Sequence, residues 1–242
     1  MDRRTLLVAG GAAAVLGLTG TPARAAARLP IFEWARPGGF FFPGEGVLDP
    51  PPLAVYDDNT GFADATASLP LRPRRVESLR AHAEAVLSDP RNTRRDPDKP
   101  ARDRPQDLLR VRREDGTYVT AELDAWGDCD PDHAFPAALH RLADDVQDVR
   151  RTILRGGEPW RPSAVLLAAV RLDFEPDDAR PWPAGVPKPD TSRLYAERRL
   201  RGEQARTVRR KMPLTGEKVW PGYRLTPAEY TAATWRHLLP HE

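Results

Sequence analysis

Proline stands at 26 of the 242 positions, about double the usual ~5%. Its ring fixes φ and removes a backbone donor, so helices and central strands must be short runs between proline-rich connectors. With 40% hydrophobic residues, the chain is still long enough for one full domain plus a remainder around a buried core. One cysteine, Cys129, excludes an intramolecular disulfide framework and any multi-cysteine metal site.

The N-terminus predicts export. Arg3 and Arg4 precede an apolar run from Leu6 to Leu18, and Ala23-Arg24-Ala25 closes it with small residues. That run is shorter than the roughly 20 residues that span a bilayer, and the layout is that of a secretory signal over residues 1–25. The Arg pair, one residue and then Leu6-Leu7 match a twin-arginine address. Cleavage takes Arg3, Arg4 and Arg24 from 37 basic residues and Asp2 from 35 acidic ones, leaving 34 of each. A neutral chain of this kind is no wholesale nucleic-acid binder, because phosphate backbones demand a net basic surface. No transmembrane segment is expected after cleavage.

Along the mature chain, short apolar runs alternate with turn signals. Residues 29–34 read as a strand. Leu53–Tyr56 and Phe62–Ala65 form a hairpin across Asp57-Asp58-Asn59-Thr60-Gly61. Val76, Leu79, Ala83 and Val86 have helical spacing within 74–87. Residues 88–106 alternate Arg and Asp among four prolines and read as a solvated or disordered insertion. Residues 108–113 and 117–123 flank the Asp115-Gly116 pair of a second hairpin. The longest helix carries Phe135, Leu139, Leu142, Val146, Val149 and Ile153 on one face, with Asp132 as its N-cap and Gly156-Gly157 as its end. Ala164–Leu172 is apolar throughout, as in a strand covered on both faces. Beyond a proline-rich connector, residues 194–200 read as a strand and 202–212 as a basic helix. For 223–239, Tyr230 to Trp235 favour a closing strand over the helix start that Thr226-Pro227-Ala228-Glu229 suggests.

This order predicts an α+β fold, a mostly antiparallel sheet of two hairpins plus the buried strand, with two helices on one face and a small C-terminal αβ extension. The expected division is a signal at 1–25, a core domain at 26–189 and an extension at 190–242 packed on it. The hairpin Pro52-Leu53-Ala54-Val55-Tyr56-Asp57-Asp58, the alternation of helices and hairpins, and the ending Trp235-Arg236-His237-Leu238-Leu239-Pro240-His241-Glu242 resemble uncharacterised secreted proteins of actinobacteria. The resemblance covers most of residues 29–242 through loose structural motifs. It implies export and carries no activity.

The densest polar cluster is Asp128, Asp130, Asp132 and His133. Oxygen ligands at alternate positions suit calcium or another divalent metal, but position 6 of a calcium loop is His133 instead of Gly and position 12 is Leu139 instead of Glu. The same groups, with His140 nearby, form the candidate centre of a metal-assisted hydrolase. Acidic groups before a helix also stabilise its N-terminus with no ligand. Cys129 sits near His133, yet its acidic neighbours disfavour a thiolate nucleophile. No serine elbow or phosphate-binding glycine loop occurs.

Two stretches are candidate interaction surfaces. Phe40, Phe41 and Phe42 lie between Gly38-Gly39 and Pro43-Gly44 and would form an apolar patch or a lid over the core. Residues 193–211 hold eight Arg or Lys against two Glu, with Arg206, Arg209 and Arg210 on the basic helix, whereas 122–148 hold eight acids and one Arg. The basic helix would meet an anionic wall polymer or headgroup, or else the acidic stretch of the same molecule. The sequence therefore points to an exported non-enzymatic binding protein, partnered by a protein or cell-wall polymer and needing no cofactor. The alternative is the hydrolase, and a secreted protease inhibitor using the Phe40 loop is a third possibility.

Overall fold

The computed structural model describes residues 28–37, 46–100, 106–126, 133–214 and 220–242. The expected signal peptide, the Phe40 loop and Asp128 to Asp132 lie outside the described residues. The fold is α+β. Strands β1 (Pro30–Ala35), β2 (Leu53–Tyr56), β3 (Thr60–Ala63), β4 (Ala67–Pro70), β5 (Gln106–Arg112), β6 (Tyr118–Asp124) and β7 (Glu158–Pro159) form a first, antiparallel sheet in the order β6-β5-β1-β2-β3-β4-β7. Strands β8 (Ala164–Leu172), β9 (Arg180–Pro181), β10 (Tyr195–Arg201), β11 (Gly222–Thr226) and β12 (Glu229–His237) form a second, ordered β10-β8-β12-β11-β9. In the second sheet only β11 and β9 run parallel.

Both predicted hairpins form where turn chemistry allows. Asn59 adopts φ 64 between β2 and β3, and Asp58 Oδ1 accepts the Thr60 N–H at 2.9 Å. Gly116 takes φ 85 between β5 and β6, where a side chain would be strained. The return strand β3 ends at Ala63, earlier than expected, because Asp64 and Ala65 turn left-handed and feed β4.

Helices α1 (Pro73–Leu87) and α3 (Ala137–Gly156) cover one face of the first sheet. Their buried stripes, Val76, Leu79, Ala83 and Val86 on α1 and Leu139, Leu142, Val146, Val149 and Ile153 on α3, pack against Phe32, Trp34, Leu109 and Val111. Gly61 permits this approach, since a Cβ there would stand 2.6 Å from Ile153 Cδ1. The start of α3 corrects the expected Asp132 cap: the N-cap is Pro136. A residue before proline is driven out of the helical region, so Phe135 stays outside the helix. Within 88–106, residues 90–93 form a short helix, α2 (Pro90–Thr93), and Asp96 N–H donates to Ala134 O at 2.7 Å. Backbone bonds of this kind order the described part of that segment, in place of the disorder its charge suggested; residues 101–105 are not described.

The buried strand does not join the hairpins. Instead β8 is the centre of its neighbourhood in the second sheet, with Val170–Ala164 paired to Tyr195–Arg201 of β10 and Leu172–Val165 to Tyr230–His237 of β12. The boundary expected at 189/190 thus falls inside a sheet. An apolar strand needs partners on both edges and cover on both faces, and the long matching strands lie in the C-terminal part. Thr226-Pro227-Ala228-Glu229 turns β11 into β12, so the closing-strand reading holds. Helix α4 (Gly202–Lys211) covers one face of this sheet, packing Ala205, Val208 and Met212 on Val165, Leu167, Ala233 and Trp235.

Candidate functional site

The face of the first sheet turned away from its helices carries charge. Along β1, Phe32 and Trp34 point to the helices and Glu33 to the opposite side, by the alternation of a strand. Glu33 stands directly opposite Arg110 of β5, which donates to Glu33 Oε2.

The segment after β12 joins the two sheets. Leu238 packs on Ala164 and Leu166 of the second sheet, and Leu239 on Ala54, Tyr56 and Phe62 of the first. Trp160 stands edge-on to Phe62 at 4.6 Å and donates from Nε1 to Leu238 O at 3.2 Å. His241 then reaches the first sheet, with Nε2 2.9 Å from Glu33 Oε1 and Nδ1 2.6 Å from the Tyr56 hydroxyl. Glu242 takes the second: Arg236 donates to its two oxygens at 2.9 and 2.6 Å and from Nε to Val47 O at 2.6 Å.

A carboxylate only accepts, so the His241 Nε2 carries the hydrogen, and in the neutral ring Nδ1 accepts from Tyr56. Burial pushes the Glu33 carboxyl up, but His241 and Arg110 together outweigh it and hold it below the usual range. Burial, helped by the Glu33 charge, pushes the Tyr56 hydroxyl far above its usual value. Tyr56 therefore stays protonated as a donor. Both His241 nitrogens are engaged, which makes the histidine a clasp between chain segments.

Beside this clasp the sheets part into a cleft of about 890 Å³, the scale of a bound small ligand or short chain segment. Its walls include Glu33 and Arg110 of the first sheet, Tyr195 to Arg199 of the second, and the connectors at 46–51 and 187–193. Arg36, Lys188, Arg193, Arg198 and Arg199 add basic groups. Among the described residues Arg198 and Arg199 form no ion pair, whereas Arg36 binds Asp107 at 2.9 Å and Arg193 lies 3.6 Å from Asp190. The cleft offers guanidinium groups to an anionic ligand.

The residues singled out from sequence lie elsewhere. Phe40, Phe41, Phe42, Asp128, Cys129, Asp130 and Asp132 are not described, although Arg36, Pro37, Gly46 and Val47 beside the Phe40 loop line the cleft. His133 and His140 meet edge-on at 4.9 Å between ring centres. Among the described residues no three His, Cys, Asp or Glu side chains are grouped as metal ligands would be. Arg206 pairs with Glu203 of its own helix, Arg209 donates to Pro162 O, and Arg210 is exposed. The acidic stretch is answered by α1, since Asp145 contacts Arg75 and His82 and Asp148 contacts Arg75. Helix α4 lies on the sheet face away from the clasp, and none of its residues lines the cleft.

Sequence reasoning missed Glu33, Tyr56, Arg110, Arg236 and His241, whereas Arg198 and Arg199 fall within the basic stretch 193–211 that it singled out. One signal was present: Glu33 interrupts the apolar run Ile31-Phe32-Glu33-Trp34, and a charge inside a buried strand requires a partner. No helix among the described residues is long and apolar enough to cross a membrane. No protein-family model, curated protein or solved structure matches this chain.

Proposed function

We propose that this chain is an exported, non-enzymatic binding protein of the cell envelope or extracellular space, and that the cleft between its sheets receives an anionic partner. The observation that carries this reading is the cleft itself, open beside a clasp that fixes both walls and lined by Arg198 and Arg199, which form no ion pair among the described residues. Residues 1–25 support export by the twin-arginine route, and the resemblance to secreted actinobacterial proteins agrees with it.

Binding of the mature protein to a purified anionic wall polymer and to polyglutamate tests the site. Arg198→Glu/Arg199→Glu should abolish it and Arg206→Glu/Arg210→Glu on α4 should not. The opposite pattern would move the site to α4. Stoichiometric metal in natively purified protein, lost on Asp130→Ala, would replace this reading with the metal-assisted hydrolase. Export should stop with Arg3→Lys/Arg4→Lys.

A further inference from the structure

Strand β10 is the outer strand of the second sheet, and its register identifies which backbone groups are free. The Arg171 N–H donates to Leu194 O at 2.8 Å and the Gly202 N–H to Ser163 O at 3.1 Å, at the two ends of one antiparallel register. Hydrogen-bonded pairs alternate in such a ladder, so residues 196, 198 and 200 bond to β8. The N–H and C=O groups of Tyr195, Glu197, Arg199 and Arg201 therefore point outward, and no strand of the described chain pairs with them. A strand approached only from one face would show alternate residues, whereas Tyr195 to Arg199 all line the cleft. The edge itself is thus reachable there.

Charge on this edge has one dominant sign. Arg199 and Arg201 share the sheet face with Leu166 and Ala164, and Arg198 stands on the opposite face with Leu167. All three are exposed and without ion pairs among the described residues. The single acid of the strand, Glu197, accepts from the Tyr195 hydroxyl at 3.1 Å. Charged edges often serve to prevent pairing with like edges. A row of arginines repels basic strands and attracts acidic ones, so the edge selects as well as protects.

We propose that the outer edge of β10 binds an acidic, extended segment of a partner protein as an added strand. The proposal rests on the cleft being the binding surface and names its occupant. Backbone groups repeating at strand spacing are matched by a peptide and not by a polysaccharide, while the arginines choose acidic side chains on alternate residues.

The test titrates the mature protein with a labelled alternating Glu-Val octapeptide, read by fluorescence anisotropy and amide hydrogen exchange. Binding should slow exchange at Tyr195, Glu197 and Arg199, weaken at least about tenfold with Arg198→Glu/Arg199→Glu, and vanish for a Lys-Val octapeptide. Glu197→Pro removes one outward N–H while sparing the β8 ladder and should abolish binding. Should that variant fail to fold, N-methylation of alternate residues of the peptide removes the same bonds from the other side. Equal binding of the N-methylated peptide would overturn strand addition and leave only electrostatic attraction in the cleft. No binding of the acidic peptide, with wall-polymer binding retained, would overturn the inference while the proposed function stands. Self-association abolished by Glu122→Lys/Asp124→Lys on the acidic edge strand β6 would assign the edge to a second copy instead.

Discussion

The first sheet buries one carboxylate on each of its faces, and the two are held differently. Asp107, on the helix side, is fully buried and accepts from Trp34 Nε1 at 2.6 Å, Arg36 Nε at 2.9 Å and the Trp126 N–H at 3.0 Å. Burial still pushes its carboxyl above the usual value, because those donors do not fully replace water. Glu33, on the inner side, is also buried but is held below the usual value by His241 and Arg110. One face is an apolar core that tolerates a carboxylate at its margin. The other is a polar junction in which a carboxylate is the anchor.

That contrast can be broken by mutation. The largest effect belongs to the helix face: Leu142→Ala should cost about 2 to 5 kcal/mol in denaturant unfolding, through lost burial and the cavity left between α3 and the sheet. Next comes the junction. Glu33→Gln replaces a charged acceptor of two bonds and should cost about 1.5 kcal/mol, the low end for charge-assisted bonds, because the Arg110 side chain is 39% exposed and screened. If Asp107→Asn were the costlier of the two carboxylate changes, the contrast would be reversed. Tyr56→Phe should cost about 1 kcal/mol, the hydroxyl's bond to His241, with the fold unchanged.

The smallest effect separates the two carboxylates by sign. Glu33 titrates lower in the folded state than unfolded, so its stabilisation is present above the usual carboxylate range and is lost as pH falls through its folded value. Asp107 titrates higher when folded, so its charged form destabilises at neutral pH and is relieved as pH falls through that value. Unfolding free energies measured from pH 6 to pH 3 should therefore decline less in Glu33→Gln than in the parent protein and more steeply in Asp107→Asn. Parallel curves for both variants would remove the distinction.

The second sheet shows how far local pattern reaches. The apolar run of β8 announced a covered strand, and Tyr230 to Trp235 announced a closing one, but nothing local showed that these two pair with each other. The strand β4 was missed because Ala67-Ser68-Leu69-Pro70 has neither length nor strong alternation, and it exists as the partner of β3. The start of α3 was misplaced because an aspartate is a good cap wherever it stands, while the steric restriction before Pro136 decides where helical backbone begins.

What the sequence determined by itself was the set of elements whose cause is local: the helical stripes of α1 and α3, the Asn59 and Gly116 turns, and the apolar strand. The tertiary structure alone decided the site. Glu33 meets His241 across 208 residues and Tyr56 meets it across 185, and hydrogen bonds at that separation leave no periodic trace in the chain. Side-chain periodicity reports which face of an element is apolar. Which polar groups then face one another depends on how two sheets and a C-terminal segment pack, and that is set by the sum of burial over the whole molecule.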